Sequence, residues 1–109
     1  MITQRLTRFE CFAGETKSLV LTIENEQENS EVSIAFVRGH TFTKKSFSTK
    51  DNTLAKDENG EYCCELSAAD TVSMSGAEYA IEVKVESAAG VTIRPCGVLA
   101  VRKDQVYKL

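Results

Sequence analysis

The sequence lacks several features that small proteins use to build catalytic sites or to enter membranes. Its 109 residues include no tryptophan, one proline and one histidine. Nucleophilic catalysis by serine or cysteine usually requires a base. The single histidine, His40, follows Gly39 without a Gly-x-Ser-x-Gly motif or a matching cysteine context. We therefore expect a solvated loop histidine, no catalytic residue and no enzymatic activity.

Long apolar runs are also missing. No stretch reaches the roughly 20 apolar residues that a membrane-spanning helix needs. The first residues, Met1-Ile2-Thr3-Gln4-Arg5, do not begin the uninterrupted apolar core of a signal peptide. These observations predict no membrane partner and a protein that is made and kept in the cytoplasm or leaves it by lysis.

The four cysteines lack the spacing of familiar cysteine sites. Cys11, Cys63, Cys64 and Cys96 contain no C-x-x-C pair, which zinc sites and thioredoxin-like redox motifs use. Neighbouring residues of a strand point to opposite faces, so Cys64 should face the core and Cys63 the solvent or the sheet rim. We interpret all four as reduced thiols that fill small apolar spaces; a disulfide between Cys11 and Cys96 is the alternative.

Charge excludes further classes of function. The net charge is -3, whereas general nucleic-acid binding requires a surplus of Lys and Arg. The acidic residues between Glu24 and Glu31 form a polar connection rather than an opposed acid/base pair. The segment Asp57-Glu58-Asn59-Gly60 lacks the calcium-ligand spacing and is typical of a turn. We predict no nucleic acid, no metal, no cofactor and no small-molecule substrate.

Strict alternation of apolar and polar residues dominates what is present. Tyr79, Ile81, Val83 and Val85 alternate with more polar residues, and Ala88-Ala89-Gly90 then forms a turn. A period of two with one apolar face indicates a half-buried antiparallel strand, and the short Gly-containing turn makes a hairpin. The same pattern predicts further strands over residues 4–12, 19–24, 32–37 and 61–66, a weak edge strand over 41–47 and a long loop over 49–59.

About seven strands and one short helical turn favour an immunoglobulin-like antiparallel β-sandwich that fills one domain, residues 1–109. A small barrel is the alternative. Ser67 and Asp70 have capping-box-like spacing for the helical turn. Pro95 marks an edge, a bulge or a break within the last strand. The predicted core comprises Leu19, Leu21, Ile23, Val32, Ile34, Phe36, Tyr62, Cys64, Leu66, Tyr79, Ile81, Val83 and Val85.

A three-residue motif suggests an antibody-type domain, but other features of the sequence contradict that interpretation. Gly60-x-Tyr62-x-Cys64 reproduces the segment in which a tyrosine precedes the second disulfide cysteine by two residues. Antibody-type domains have one strand after that point, whereas two long strands follow here. The absence of tryptophan also departs from that family.

The one locally basic segment is the candidate interaction site. Phe42 and Phe47 are interleaved with Lys44 and Lys45, and further lysines follow. Aromatic rings on a basic sheet face can stack with nucleic-acid bases. Lysines also protect edge strands against pairing with other chains. A third interpretation is an exposed patch that docks another subunit, for which Phe42, Lys44, Lys45 and Phe47 are the predicted partner-binding residues.

The order of these elements resembles the immunoglobulin-like N-terminal domain of bacteriophage upper-baseplate proteins. The resemblance covers nearly the whole chain and depends mainly on turn residues and on the alternation of apolar and polar residues. The segments that carry it are Phe9-x-x-Phe12-Ala13-Gly14-Glu15-Thr16, Asn59-Gly60-Glu61-Tyr62, residues 75–85 and Val98-Leu99-Ala100-Val101. It implies a non-enzymatic structural part of a phage or prophage virion, in the baseplate or tail. The implied partners are other phage structural proteins and copies of the same chain, which bind to exposed strand edges near Phe42 to Phe47 and near Pro95.

Two other classes of function stay open. A carbohydrate- or surface-binding module of a bacterial adhesin is the main alternative, against which the missing signal peptide counts. A small enzyme or regulator is the third hypothesis, and loss of a saturable turnover in His40→Ala would support it.

Overall fold

A computed structural model describes residues 7–22, 30–39 and 42–103, which form eight strands and one short helix. In chain order, these elements are β1 (Thr7–Phe12), β2 (Lys17–Leu21), β3 (Glu31–Arg38), β4 (Phe42–Ser48), β5 (Ala55–Lys56), β6 (Tyr62–Leu66), α1 (Ala68–Ser73), β7 (Ala77–Ser87) and β8 (Gly90–Arg102).

The strands form two facing sheets with the strand order of an immunoglobulin domain. One sheet has five strands in the order β1-β8-β7-β3-β4, and the other has three in the order β2-β6-β5. Variable-type immunoglobulin domains place strands G, F, C and C′ in one sheet and B, E and D in the other. Chain order assigns β8, β7, β3 and β4 to the first group and β2, β6 and β5 to the second. The predicted immunoglobulin-like β-sandwich is therefore confirmed.

Two details differ from the predicted antiparallel sandwich of about seven strands. First, β5 is an additional strand of two residues that pairs with β6, in a segment predicted to be a loop. Second, β1 runs parallel to β8, with Thr7 opposite Gly97. A side chain at Gly97 would place its Cβ 2.5 Å from the carbonyl oxygen of Thr7. A glycine is needed there because the two backbones approach so closely.

The predicted alternation correctly identifies most of the core. Val85 is only partly buried because it lies near the end of the long β7–β8 hairpin, and Ile23 lies outside the described residues. The remaining predicted core side chains are all buried: Leu19, Leu21, Val32, Ile34, Phe36, Tyr62, Cys64, Leu66, Tyr79, Ile81 and Val83. Leu54, in the segment predicted to be a long loop, is also buried, as are Met74, Leu99 and Val101.

The predicted capping box begins α1. The Ser67 hydroxyl accepts a hydrogen bond from the Asp70 amide at 3.1 Å, and the Ser67 amide donates to the Asp70 carboxylate at 2.9 Å. Burial raises the pKa of Asp70, but the bonds from Ser67 and the nearby Lys45 ammonium outweigh it and leave that pKa below its ordinary value. These bonds satisfy amides that a helix start otherwise leaves unpaired.

Thr71 connects this helix to the turn between β1 and β2. Its side chain is fully buried. The hydroxyl donates a hydrogen bond to the carbonyl of Glu15 at 2.7 Å and accepts one from the amide of Gly14 at 3.0 Å. One buried hydroxyl thus satisfies backbone groups of a turn far away in sequence, as buried polar groups require.

Candidate functional site

The structure separates the two aromatic residues of the predicted interaction segment. As predicted, β4 is an edge strand, outermost in the five-stranded sheet. Phe42 begins this strand and is 56% exposed, whereas Phe47 is only 8% exposed. Phe47 lies edge-on to the buried Phe36 ring, with ring centroids 6.2 Å apart. Phe42 is therefore available to a partner, and the side chain of Phe47 belongs to the core.

The two lysines between them also differ in their contacts. The Lys45 ammonium lies 3.3 Å from the Asp70 carboxylate and 5.5 Å from the centroid of the Phe47 ring. Lys44 is half-buried and is the extra residue of a β-bulge, because Phe36 pairs with Lys45 and the next residue of β3 pairs with Thr43. Lys45 is thus engaged within the molecule. Phe42 and Lys44 are the members of the predicted site that remain for a partner, a much smaller surface than the base-stacking interpretation requires.

A second edge lies on the first half of β8. Residues 97–102 of β8 pair with β1, whereas residues 90–95 pair with β7 on one side and, like Cys96, with no other described strand. We call residues 90–96 the β8 edge. Pro95 lies opposite Glu82, and the register shifts at the next pair, Ile81 with Gly97, so that Cys96 is bulged. Of the three predicted alternatives for Pro95, an edge, a bulge or a break, the structure shows an edge position next to the bulged Cys96.

The β8 edge exposes two large apolar side chains. Val91 is 58% exposed and Ile93 is 52% exposed. They lie opposite Glu86 and Lys84 of β7, which form an ion pair at 2.9 Å. This pair lowers the pKa of Glu86, first through the hydrogen bond from Lys84. The charges next to the apolar side chains are therefore already paired.

Arg94 lies between these positions and points to the other face of the sheet. It is exposed, and its guanidinium donates a hydrogen bond to the carbonyl oxygen of Ile93 at 2.9 Å. In the part of the chain that the structure describes, no carboxylate forms an ion pair with Arg94. The β8 edge therefore combines one apolar face with a positive charge on the opposite face.

The other end of β8 also carries charged residues. Arg8 bonds to Glu10 at 3.1 Å and to Glu78 at 3.2 Å, and Arg102 lies 3.5 Å from Glu10. The hydrogen bond from Arg8 is the main cause of the lowered pKa of Glu10. These side chains line shallow surface depressions. Among the described residues, Arg8 and Arg102 thus have carboxylate partners and are not isolated charges for a ligand.

The cysteines are four free thiols, so the alternative disulfide between Cys11 and Cys96 is absent. Cys64 is buried and Cys63 is exposed, as predicted. Burial raises the pKa of Cys64 to about 12 and that of Cys96 to about 11. The pKa of Cys63 is also raised, first by desolvation and then by the neighbouring Asp57 carboxylate. Since the thiolate is the reactive form, these environments disfavour a nucleophilic role.

Metal-binding clusters and membrane-spanning helices are absent from the described residues. Among residues 7–22, 30–39 and 42–103, no cluster of three or more His, Cys, Asp or Glu side chains could hold a metal ion. Within the same ranges, no helix is long and apolar enough to cross a membrane. The predicted loop histidine, His40, lies outside the described part of the chain.

The strand positions also reveal a motif that sequence reasoning missed. Tyr62 lies on β6, the E position, so the Gly60-x-Tyr62-x-Cys64 motif was correctly rejected as an antibody-type F strand. The F position belongs to β7, where buried Tyr79 precedes buried Ile81 by two residues. This is the spacing of the tyrosine corner and the second disulfide cysteine. Ile81 therefore stands where antibody domains place that cysteine.

Comparisons with known proteins add little to this description. No family model matches the chain, and no curated protein matches it. A solved structure of the insect immune protein hemolin is similar at 21% identity with a TM-score of 0.43. The similarity covers 91% of this chain and 22% of the hemolin chain. At this TM-score the fold assignment depends on the strand order alone.

Proposed function

We propose that this chain is a non-enzymatic assembly module of a phage or prophage particle, where it binds other tail or baseplate proteins or copies of itself. The observation that carries the proposal is the β8 edge, where exposed Val91 and Ile93 lie along a strand without a second described neighbour. The assignment to a baseplate or tail is supported by the sequence resemblance stated above. The particle is assembled from protein made in the bacterial cytoplasm.

An open strand edge is suited to binding protein because its backbone N–H and C=O groups can pair with another strand. Among the described residues, the five-stranded sheet has such edges at the outer strand β4 and at the first half of β8, which extends beyond its pairing with β1. Phe42 adds an exposed aromatic side chain at the β4 edge. Two binding edges on one small module are useful in symmetric particles, in which one contact is repeated many times.

Quantitative mass spectrometry of purified particles tests the proposal. Prophages would be induced in the bacterium that encodes the chain, and particles would be purified by density gradient. We expect the chain at a fixed molar ratio to a known tail or capsid protein, unchanged after a high-salt wash. A strain that lacks this gene provides the control for the peptide assignment.

Absence of the chain from well-formed particles would contradict a virion component. A glycan array with the purified protein would then test the surface-binding alternative, for which selective binding of one glycan class is the expected result. A constant ratio to the tail protein, together with no selective glycan binding, supports the assembly module.

A further inference from the structure

We propose that the β8 edge binds an extended, acidic segment of another protein, which adds to the five-stranded sheet as a further strand. The inference deepens the proposed function, because it names the chemistry of one partner of the assembly module.

The backbone of the edge has the length of a typical added strand. Residues 90–96 form seven consecutive strand positions with β7 on one side only, as far as the structure is described. Strand addition to such an edge obtains affinity from main-chain hydrogen bonds and specificity from alternate side chains. Pro95 removes one backbone donor and sets a limit on the stretch that can pair.

The two faces of the β8 edge favour different side chains in a partner strand. On one face, Val91, Ile93 and Pro95 form an exposed apolar row. On the other face, Arg94 is exposed, and among the described residues its guanidinium bonds to the neighbouring carbonyl of Ile93. Because strand side chains alternate between faces, a segment that alternates apolar and acidic residues would match both faces at once.

The charges favour a different protein over a second copy of this chain. Another edge strand of the sheet, β4, carries Lys44, for which no ion pair is recorded among the described residues. Pairing β4 of one copy with the β8 edge of another would bring this lysine towards Arg94, and like charges on facing strands are destabilising. An acidic segment instead supplies the carboxylate that Arg94 lacks among the described residues.

A synthetic peptide provides the probe. In acetyl-Thr-Val-Glu-Val-Glu-Val-Thr-amide, the valines share one face and the glutamates share the other. We expect saturable binding to the full chain by isothermal titration calorimetry. In ¹⁵N-edited NMR spectra, we expect amide shifts concentrated in residues 90–96. A peptide with lysine in place of both glutamates should bind at least about threefold more weakly, in line with the modest energy of exposed ion pairs.

Charge reversal makes the test specific. Arg94→Glu should weaken binding of the acidic peptide by about threefold to tenfold and strengthen binding of the lysine peptide, since attraction becomes repulsion. Arg38→Glu is the matched control, because Arg38 is also exposed and lies on β3 of the same sheet. That variant should bind both peptides as the wild type does. Peptides N-methylated at alternate residues should lose binding because they cannot form the backbone ladder.

Three results would overturn the inference: no saturable binding of the acidic peptide, equal binding to wild type and Arg94→Glu, or NMR shifts centred on β4. The particle experiment separates this inference from the proposed function. If the chain is present in particles but the peptide does not bind, the acidic partner is wrong and the assembly role remains. If the peptide binds but particles lack the chain, the virion assignment alone is wrong.

Discussion

Replacing Phe47 by alanine should destabilise the domain strongly, whereas the same change at Phe42 should have almost no effect. The two residues are of one type and lie on one strand, β4, but they are 8% and 56% exposed. The comparison therefore isolates burial from residue type and from strand propensity. It also determines which of the two rings is a fair probe of partner binding.

The structure sets the expected size of the effect. Truncation of a buried Phe to Ala typically costs about 3–5 kcal/mol, because transfer energy is lost and a cavity remains. For Phe47 this includes the edge-on contact with Phe36, and such ring pairs contribute about 0.5–1.5 kcal/mol. A domain of this size has about 5–15 kcal/mol of stability in total. At about 4 °C per kcal/mol, Phe47→Ala should lower the Tm by about 12–20 °C.

Urea and thermal unfolding, followed by circular dichroism, measure the difference. We expect Phe42→Ala to remain within about 0.5 kcal/mol of the wild type, as exposed substitutions usually do. Phe47→Leu should recover a large part of the loss because it refills most of the cavity. Equal, small effects of Phe42→Ala and Phe47→Ala would refute the placement of Phe47 in the core. A large effect of Phe42→Ala would refute its assignment as a surface residue.

Three further predictions concern polar and sulfur groups. Thr71→Val should cost about 1–3 kcal/mol in urea unfolding, because it leaves partly buried backbone groups of the β1–β2 turn without their partner; Thr71→Ser should retain most of the stability. Asp70→Asn should destabilise the domain at pH 7, where the wild-type carboxylate is charged. Because the folded-state pKa of Asp70 is lowered, its contribution is present above the unfolded pKa of about 3.9 and is lost as the pH falls through the folded value, so the two proteins should converge in stability once the pH lies below that folded pKa. Iodoacetamide at pH 8, followed by peptide mass spectrometry, should label exposed Cys63 before Cys64 and Cys96, whose pKa values are about 12 and about 11; faster labelling of Cys64 would contradict its burial.

Alternation in the sequence predicted which strand residues face the core but not which strands are neighbours. Ile34, Ile81 and Cys64 were correctly placed because a period of two reports one buried face. The parallel pairing of β1 with β8 was not predicted, because the alternation of one strand contains no information about its partner. The need for glycine at position 97 also follows only from the positions of both strands, because the Thr7 carbonyl lies where a Cβ would be.

The candidate site could likewise be predicted only in part, because spatial neighbours are not visible in the sequence. Phe42 and Phe47 lie near opposite ends of β4, and their pairing with β3 distinguishes them. Phe47 lies opposite buried Ile34, whereas Phe42 lies opposite exposed Arg38, beyond the bulge. Arg94 was not singled out, because its significance depends on which carboxylates lie near it in space. The Tyr79-x-Ile81 spacing was visible in the sequence. It could be assigned to the F position only after β5 and β6 were known to precede it.

The replacement of a disulfide cysteine by Ile81 has a consequence for where such a module can be used. Ile81 is fully buried, and the inward residues of the facing β2 strand are Leu19 and Leu21. The two sheets are thus joined by side-chain contact where antibody domains have a covalent cross-link. The four cysteines are free thiols, so this packing forms without a disulfide between the sheets. Formation of the core therefore does not require an oxidising compartment.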